Sequence, residues 1–210
     1  MSDEAAEAEA ARKLFAGPCD FIWGAASADD LPPQTLPEIA FVGRSNAGKS
    51  SLLNALTGRK ALARVSNTPG RTRQINFFNL GGKLVLADLP GYGYAKASKS
   101  LADEWQHLIF AYLRGRPNLR RVAVLIDARR GAMDTDQQAM KLLDQAAVSY
   151  IVVLTKLDQL KQPERVKAES DIAAEAKKHT AAYPEIFATS ALKNIGLEAL
   201  KVHMAALVAY

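Results

Sequence analysis

The segment "PEIAFVGRSNAGKSSLLNALTG", residues 37–58, decides the fold. Its opening run, "EIAFVG", is short and apolar, the pattern of a strand buried on both faces. "GRSNAGKS", Gly43 to Ser50, then fits G-x-x-x-x-G-K-[ST]. The residues after it have helical apolar spacing and stop at Gly58, a good C-terminal cap. A strand, a glycine-bearing loop and a helix in that order form a phosphate cradle rather than a chance turn. Gly43 and Gly48 let the backbone approach an anion, and the N–H groups of Arg44, Ser45, Asn46 and Ala47 lie between them. The helix N-terminus adds a favourable partial charge. Lys49 is placed to reach β- and γ-phosphates, and the Ser50 hydroxyl to ligate Mg²⁺.

Three later stretches extend that chemistry. "DLPG", residues 88–91, follows the apolar run "KLVLA". Asp88 suits a water-mediated hold on Mg²⁺, Leu89 and Pro90 make the turn, and the Gly91 N–H can meet a γ-phosphate. Alone this pattern is common in turns, and its place after a phosphate loop gives it weight. "TKLD", Thr155, Lys156, Leu157 and Asp158, follows the run "YIVVL". A carboxylate at Asp158 accepts two hydrogen bonds from guanine N1–H and N2–H₂, and adenine offers neither. Lys156 can tie this loop to the phosphate loop. "TSA", Thr189, Ser190 and Ala191, also ends a strand, where its backbone N–H groups can meet guanine O6. A hydroxyl that completes the Mg²⁺ shell only with γ-phosphate present is sought in "TPGRTRQ"; Thr72 is preferred to Thr68 because it lies just before the next strand. Release of that loop on losing the γ-phosphate would make an order–disorder switch.

Around these motifs strands and helices alternate. "QINFFNL" and "KLVLADL" are joined by Gly81-Gly82, a hairpin signal. Helices are expected near 99–114, 134–147, 163–179 and 195–209, and strands at "RVAVLID", "YIVVLT" and "EIFATS". The expectation is an α/β fold of three layers, a mostly parallel sheet with one antiparallel edge hairpin and helices on both faces. Ligands of such sheets sit at the carboxyl ends of the strands. Residues 1–36 read as an acidic extension, with a short or frayed helix and a proline-rich stretch, and residues 37–210 as the nucleotide domain.

Composition narrows the compartment and the partners. Among 210 residues 49% are apolar, which favours a globular chain. Cys19 is the only cysteine, and no apolar run approaches the ~18 residues of a membrane helix, so a reducing cytoplasm is expected. Residues 1–36 carry seven acidic against two basic side chains, and the remainder 25 basic against 15 acidic. A basic body suits a polyanion such as RNA, or is simply a solvated surface.

The wording of "PEIAFVGRSNAGKSSLLNAL", "TPGRTRQINFFNL", "LADLPGYGYAK", "VLTKLD" and "TSALK" resembles the EngB family of bacterial ribosome-biogenesis GTPases. The likeness runs from about Phe21 to the C-terminus. It implies a P-loop GTPase fold, a monomer of one GTPase domain, and a role in large ribosomal subunit assembly, with an effect on cell division and septation. It also implies a nucleotide site of Gly43–Ser50, Gly70, Arg71, Thr72, Arg73, Gln74, Asp88–Gly91, Thr155–Asp158 and Thr189–Ala191. Mg²⁺ falls to Ser50 and Thr72 beside Asp88, and the catalytic set is Asn46, Lys49, Thr72 and Gly91.

Tyr92 stands where many such switches place a water-orienting glutamine. Related GTPases without that glutamine bind K⁺ through an asparagine at the position of Asn46; a loop-shaping role for Asn46 is the alternative. Slow hydrolysis, stimulated by K⁺ or by the ribosomal partner, is therefore expected. A GTP-dependent scaffold with little hydrolysis is the competing reading. Arg71 and Arg73 are either in-cis arginine fingers or RNA-facing. "YLRGRPNLRRV", 112–122, and "DARRG", 127–131, hold six arginines and are the candidate rRNA contact. His107, His179 and His203 have no ligand spacing and read as structural.

Overall fold

Strands β1 (Cys19–Ala25), β2 (Glu38–Gly43), β3 (Ile75–Leu80), β4 (Leu84–Asp88), β5 (Leu119–Asp127), β6 (Tyr150–Thr155) and β7 (Ala182–Ala188) form one sheet. The computed structural model describes residues 3–62, 74–92 and 99–208, without the side chains of 99–106. The spatial order is β1-β3-β4-β2-β5-β6-β7. β4, β2, β5, β6 and β7 run parallel to one another, whereas β3 pairs antiparallel with both β4 and β1.

Every residue of β2, β4 and β6 is buried, as the continuous apolar runs require of strands covered on both faces. Their side chains alternate between two cores. Ala40 and Val42 join one with Tyr112 of α3 (Lys99–Gly115), Met140 of α4 (Asp134–Gln145) and Ile172 of α5 (Gln162–Ala176). Ile39 and Phe41 join the other with Phe15 of α1 (Asp3–Ala16), Leu53 of α2 (Lys49–Thr57) and Leu200 of α6 (Leu197–Ala206). Phe77 and Phe78, adjacent on β3, are divided in the same way, one to each core.

The first 36 residues are not set apart from the sheet. Ala11 and Phe15 of α1 are buried, and α1 packs against α6. β1 pairs with β3 from Cys19↔Leu80 to Ala25↔Ile75. The β3–β4 hairpin therefore lies one strand in from the edge, and β1 is the edge. A bulge between Phe21 and Trp23 shifts its register, and four consecutive residues, Asp20 to Trp23, are exposed. That interrupts the alternation by which a half-buried strand is recognised.

A buried ion pair fastens the other side of the N-terminal segment. Arg116, 4% exposed, donates from Nε to Glu38 Oε2 at 3.1 Å, from Nη2 to Glu38 Oε1, and from Nη1 to the Pro32 carbonyl at 2.6 Å. The Tyr112 hydroxyl donates to the same Glu38 carboxylate at 3.0 Å. Arg116 is thus removed from the expected RNA patch, because its charge is spent inside the protein.

Candidate nucleotide-binding site

The loops after β2, β4, β6 and β7 meet at the carboxyl edge of the sheet. Gly43 ends β2, and Gly48, with φ at +96°, is the N-cap of α2, a backbone that a side chain would strain. Lys49 and Ser50 fill the first turn of that helix. Asn46 has φ at +64°, a left-handed conformation that asparagine tolerates.

The β4 end is sewn to this loop by main chain. Leu89 N donates to Phe41 O at 3.0 Å, Tyr92 N to Gly43 O at 3.2 Å, and Ser45 N to Tyr92 O at 3.1 Å. A Cβ on Gly91 would stand 3.2 Å from Gly43 O and 3.3 Å from Ser45 N, so glycine permits the close approach. Leu89 and Pro90 are buried. Lys49 Nζ donates to Asp88 Oδ1, and both side chains are largely enclosed. Tyr92 turns away from this edge into the core. Its hydroxyl donates to Asp136 Oδ1 at 2.7 Å, and Asp136 Oδ2 accepts from Met133 N at 2.9 Å at the start of α4. Burial, reinforced by Asp136, raises the phenol well above its ordinary value, so it stays a neutral donor.

The opposite end is held by side chains. Thr155 Oγ1 donates to Ala47 O at 2.5 Å, and Lys156 Nζ to Asn46 O at 2.6 Å and Asp127 Oδ2 at 3.0 Å. Ser190 Oγ donates to Asp158 Oδ1 while accepting from Lys193 N at 3.1 Å. Leu157 N reaches Thr189 O at 3.1 Å, and Thr189 N reaches Leu154 O at 2.7 Å. Leu157 is buried in the core, and Ala191 opens the turn that follows. The Asp158 carboxylate is thereby aimed by a residue on a neighbouring strand's loop.

Gly43–Ser50, Asp88–Gly91, Thr155–Asp158 and Thr189–Ala191 are thus brought together. Gln74 begins β3's approach, its Nε2 on Asn76 Oδ1 at 2.9 Å. Gly70, Arg71, Thr72 and Arg73, with Thr68, lie outside the described residues. Two aspartates were missed in the sequence. Asp127 ends β5 and receives Lys156 together with Arg129, whose Nε and Nη2 donate at 2.9 and 2.6 Å. Burial opposes its charge, but these hydrogen bonds from Arg129 and Lys156 hold the carboxyl well below its ordinary value. Its place at the end of a buried strand was the available signal. Asp136, the anchor of Tyr92, had no such signal.

The arginine run is dispersed. Arg114 lies 4.5 Å over Phe110, Arg121 donates to Ser149 Oγ at 2.9 Å and lies 4.5 Å over Tyr183, and Arg120 is exposed. His179 is buried against Asp144 at 2.6 Å, and burial pulls His203, between Tyr183 and Phe187, down to about 4. Among the described residues no three His, Cys, Asp or Glu side chains gather as metal ligands.

The 50S ribosome-binding GTPase family profile matches residues 38–156, and that of the elongation factor Tu GTP-binding domain matches 114–209. A probable GTP-binding protein EngB of Gluconobacter oxydans is 53% identical over 200 residues, 95% of this chain and 88% of that protein. This chain belongs to the EngB family of GTP-binding proteins. Another EngB relative, from Caulobacter vibrioides, is 54% identical over 93% of this chain and 86% of its own. A crystal structure of a probable EngB protein shares the fold at TM-score 0.64, 23% identity, 82% of this chain and 98% of that one. Era in complex with MgGDPNP and nucleotides 1506–1542 of 16S ribosomal RNA aligns at TM-score 0.65 and 26% identity, over 83% of this chain and 57% of its own. EngB membership makes this a GTP-binding chain of a GTPase family, and no described helix is long and apolar enough to cross a membrane.

Proposed function

We propose that the chain is a guanine-nucleotide switch that hydrolyses GTP slowly and acts in large ribosomal subunit assembly in the cytoplasm. The observation that carries this reading is the convergence of Gly43–Ser50, Asp88–Gly91 and the Ser190-aimed Asp158 at one sheet edge. Thr155–Asp158 and Thr189–Ala191 would take the base, and the phosphate loop with Lys49 the phosphates. The 50S ribosome-binding family and the RNA-bound Era neighbour support a ribosomal partner. An influence on division and septation would follow from that assembly role.

The donors suit Mg²⁺: Ser50 offers a hydroxyl and Asp88 a carboxylate, the all-oxygen set such a hard cation prefers. Ser50, Asp88 and Thr72 would hold the ion, which supplies charge neutralisation at the phosphates. The protein's own part is to orient. Lys49 and the N–H groups around Gly48 hold the phosphates, Gly91 N–H meets the terminal one, and the Tyr92 ladder holds Gly91 against the loop.

Tyr92, buried against Asp136, presents no side-chain amide to an attacking water, which supports slow intrinsic hydrolysis. Catalytic help then comes from K⁺ at Asn46 or from the partner. The same observation favours the alternative of a GTP-dependent scaffold. Phosphate release over many turnovers, in Na⁺ and in K⁺, with and without large subunits, separates the two. Stimulation supports the switch; rates alike in all four conditions end the claim, and no turnover at all leaves the scaffold.

A further inference from the structure

Resting on that proposed function, the structure narrows the RNA contact to one surface. A cleft of about 250 Å³ opens on the flank of the phosphate loop, between Arg44–Ala47 and the turn that follows β5. Arg44, Arg129, Arg130 and Lys156 line it together with Asp127 and Asp136. Both carboxylates are already engaged. Asp127 takes Arg129 and Lys156, and Asp136 takes the Tyr92 hydroxyl and the Met133 N–H.

Arg129 and Lys156 are matched by Asp127, but Arg44, which reaches Asp136 only through its field, and Arg130 have no hydrogen-bonded carboxylate. Arg130 is exposed, and its guanidinium has no partner among the described residues. Arg44 Nη1 has only the Met133 thioether as acceptor, at 2.7 Å, and its Nε is buried with no partner. A thioether is a weak acceptor for a guanidinium. Two arginines without an oxygen partner at one cleft fit the oxygens of a phosphate, which the guanidinium fork matches. The stretch 112–122 offers no arginine to this cleft: Arg116 is buried on Glu38, Arg114 is stacked on Phe110, and neither Arg120, which is exposed, nor Arg121, bonded to Ser149, is among its lining residues.

We propose that this cleft seats the phosphodiester backbone of an RNA, with Arg44 and Arg130 as its contacts. The net positive charge beyond residue 36 suits a polyanion rather than one small ion. The cleft shares Arg44–Ala47 with the loop that wraps the nucleotide's phosphates. A strand bound there would lie against the loop proposed to hold the nucleotide.

The test uses the full chain and Arg130→Glu, with large ribosomal subunits from Caulobacter vibrioides, a poly(U) 20-mer, inorganic phosphate and a fluorescent GDP analogue as probes. The variant should keep GDP affinity within about twofold of the parent. It should weaken association with subunits and poly(U) by about tenfold and flatten the salt slope by about 0.7, one phosphate's share. Arg130→Lys should recover part of the loss. Unchanged association, a parallel fall in GDP affinity, or an effect confined to inorganic phosphate each overturns the proposal. If the parent binds poly(U) through Arg130 but binds subunits in no nucleotide state, the cleft stands and the ribosomal reading falls. If it binds neither, both fall.

Discussion

The two ends of the candidate nucleotide site are built by different means. At the Asp158 end side chains make the links: Thr155 and Lys156 donate to the main-chain carbonyls of Ala47 and Asn46, Lys156 also to the Asp127 carboxylate, and Ser190 to that of Asp158. At the Gly91 end main chain joins Tyr92 to Gly43 and Ser45, Lys49 to Asp88 is the side-chain link beside it, and the Tyr92 hydroxyl turns inward to Asp136. Selection of a base depends on a fixed constellation, which the fold can set before any ligand arrives. Under the proposed function, hydrolysis depends on groups that must change partners with the nucleotide, and at that end Tyr92 offers its main chain while its side chain is held in the core. The contrast accords with a good switch that is a slow enzyme.

The largest test of that contrast is Asp158→Asn. Asparagine keeps one acceptor but turns an N–H toward guanine, so the loss of one hydrogen bond to a charged group should cost about 1.5–3 kcal/mol of GTP binding and move the preference toward xanthine nucleotides. Competitive titration with GTP and XTP reads it directly, and unaltered selectivity would remove Asp158 from the base site. At the other end, Tyr92→Phe should lower stability by about 1–3 kcal/mol in urea, since Asp136 loses a buried donor. Tyr92→Gln should lose the same bond and gain no turnover, because the position points into the core. A gain in phosphate release would show that the side chain can reach the site after all.

Smaller effects sharpen the Asp158 end. Ser190→Ala removes the donor that aims Asp158, and should weaken GTP binding about fivefold while guanine is still preferred to adenine. Loss of base discrimination would mean that Ser190 contacts the base itself. Asp127 gives a pH signature. Its carboxyl is held below the ordinary value of 3.8, so the folded chain keeps a charge where the unfolded chain takes up a proton. That stabilisation is complete well above 3.8 and drains away as the pH falls, and Asp127→Asn should flatten the acid limb of a melting-temperature profile. An unchanged limb would show that its pairing with Lys156 adds nothing.

What could be read in advance follows the range of the interactions. From Glu38 onward, strand and helix order came through, because apolar runs, caps and the phosphate loop are local signals. β2 begins and ends where "EIAFVG" does. β1 escaped because a bulge breaks its alternation and four exposed residues follow one another. Arg116 looked like surface charge because its partner, Glu38, lies 78 residues away and was not singled out. Asp136 was hidden for the same reason, 44 residues from Tyr92. Charge composition reports how many cations a chain has, and only the fold reports which ones are already used.

The edge strand carries a practical consequence. β1 covers the outer ladder of β3 with the chain's own first residues. A fragment cut at Leu36 would keep every nucleotide-binding motif, yet bare the amides and carbonyls of β3 along an open rim. Such rims recruit one another, so the fragment should assemble into larger oligomers than the intact chain. Shortened versions made for crystallisation or labelling should begin ahead of Cys19.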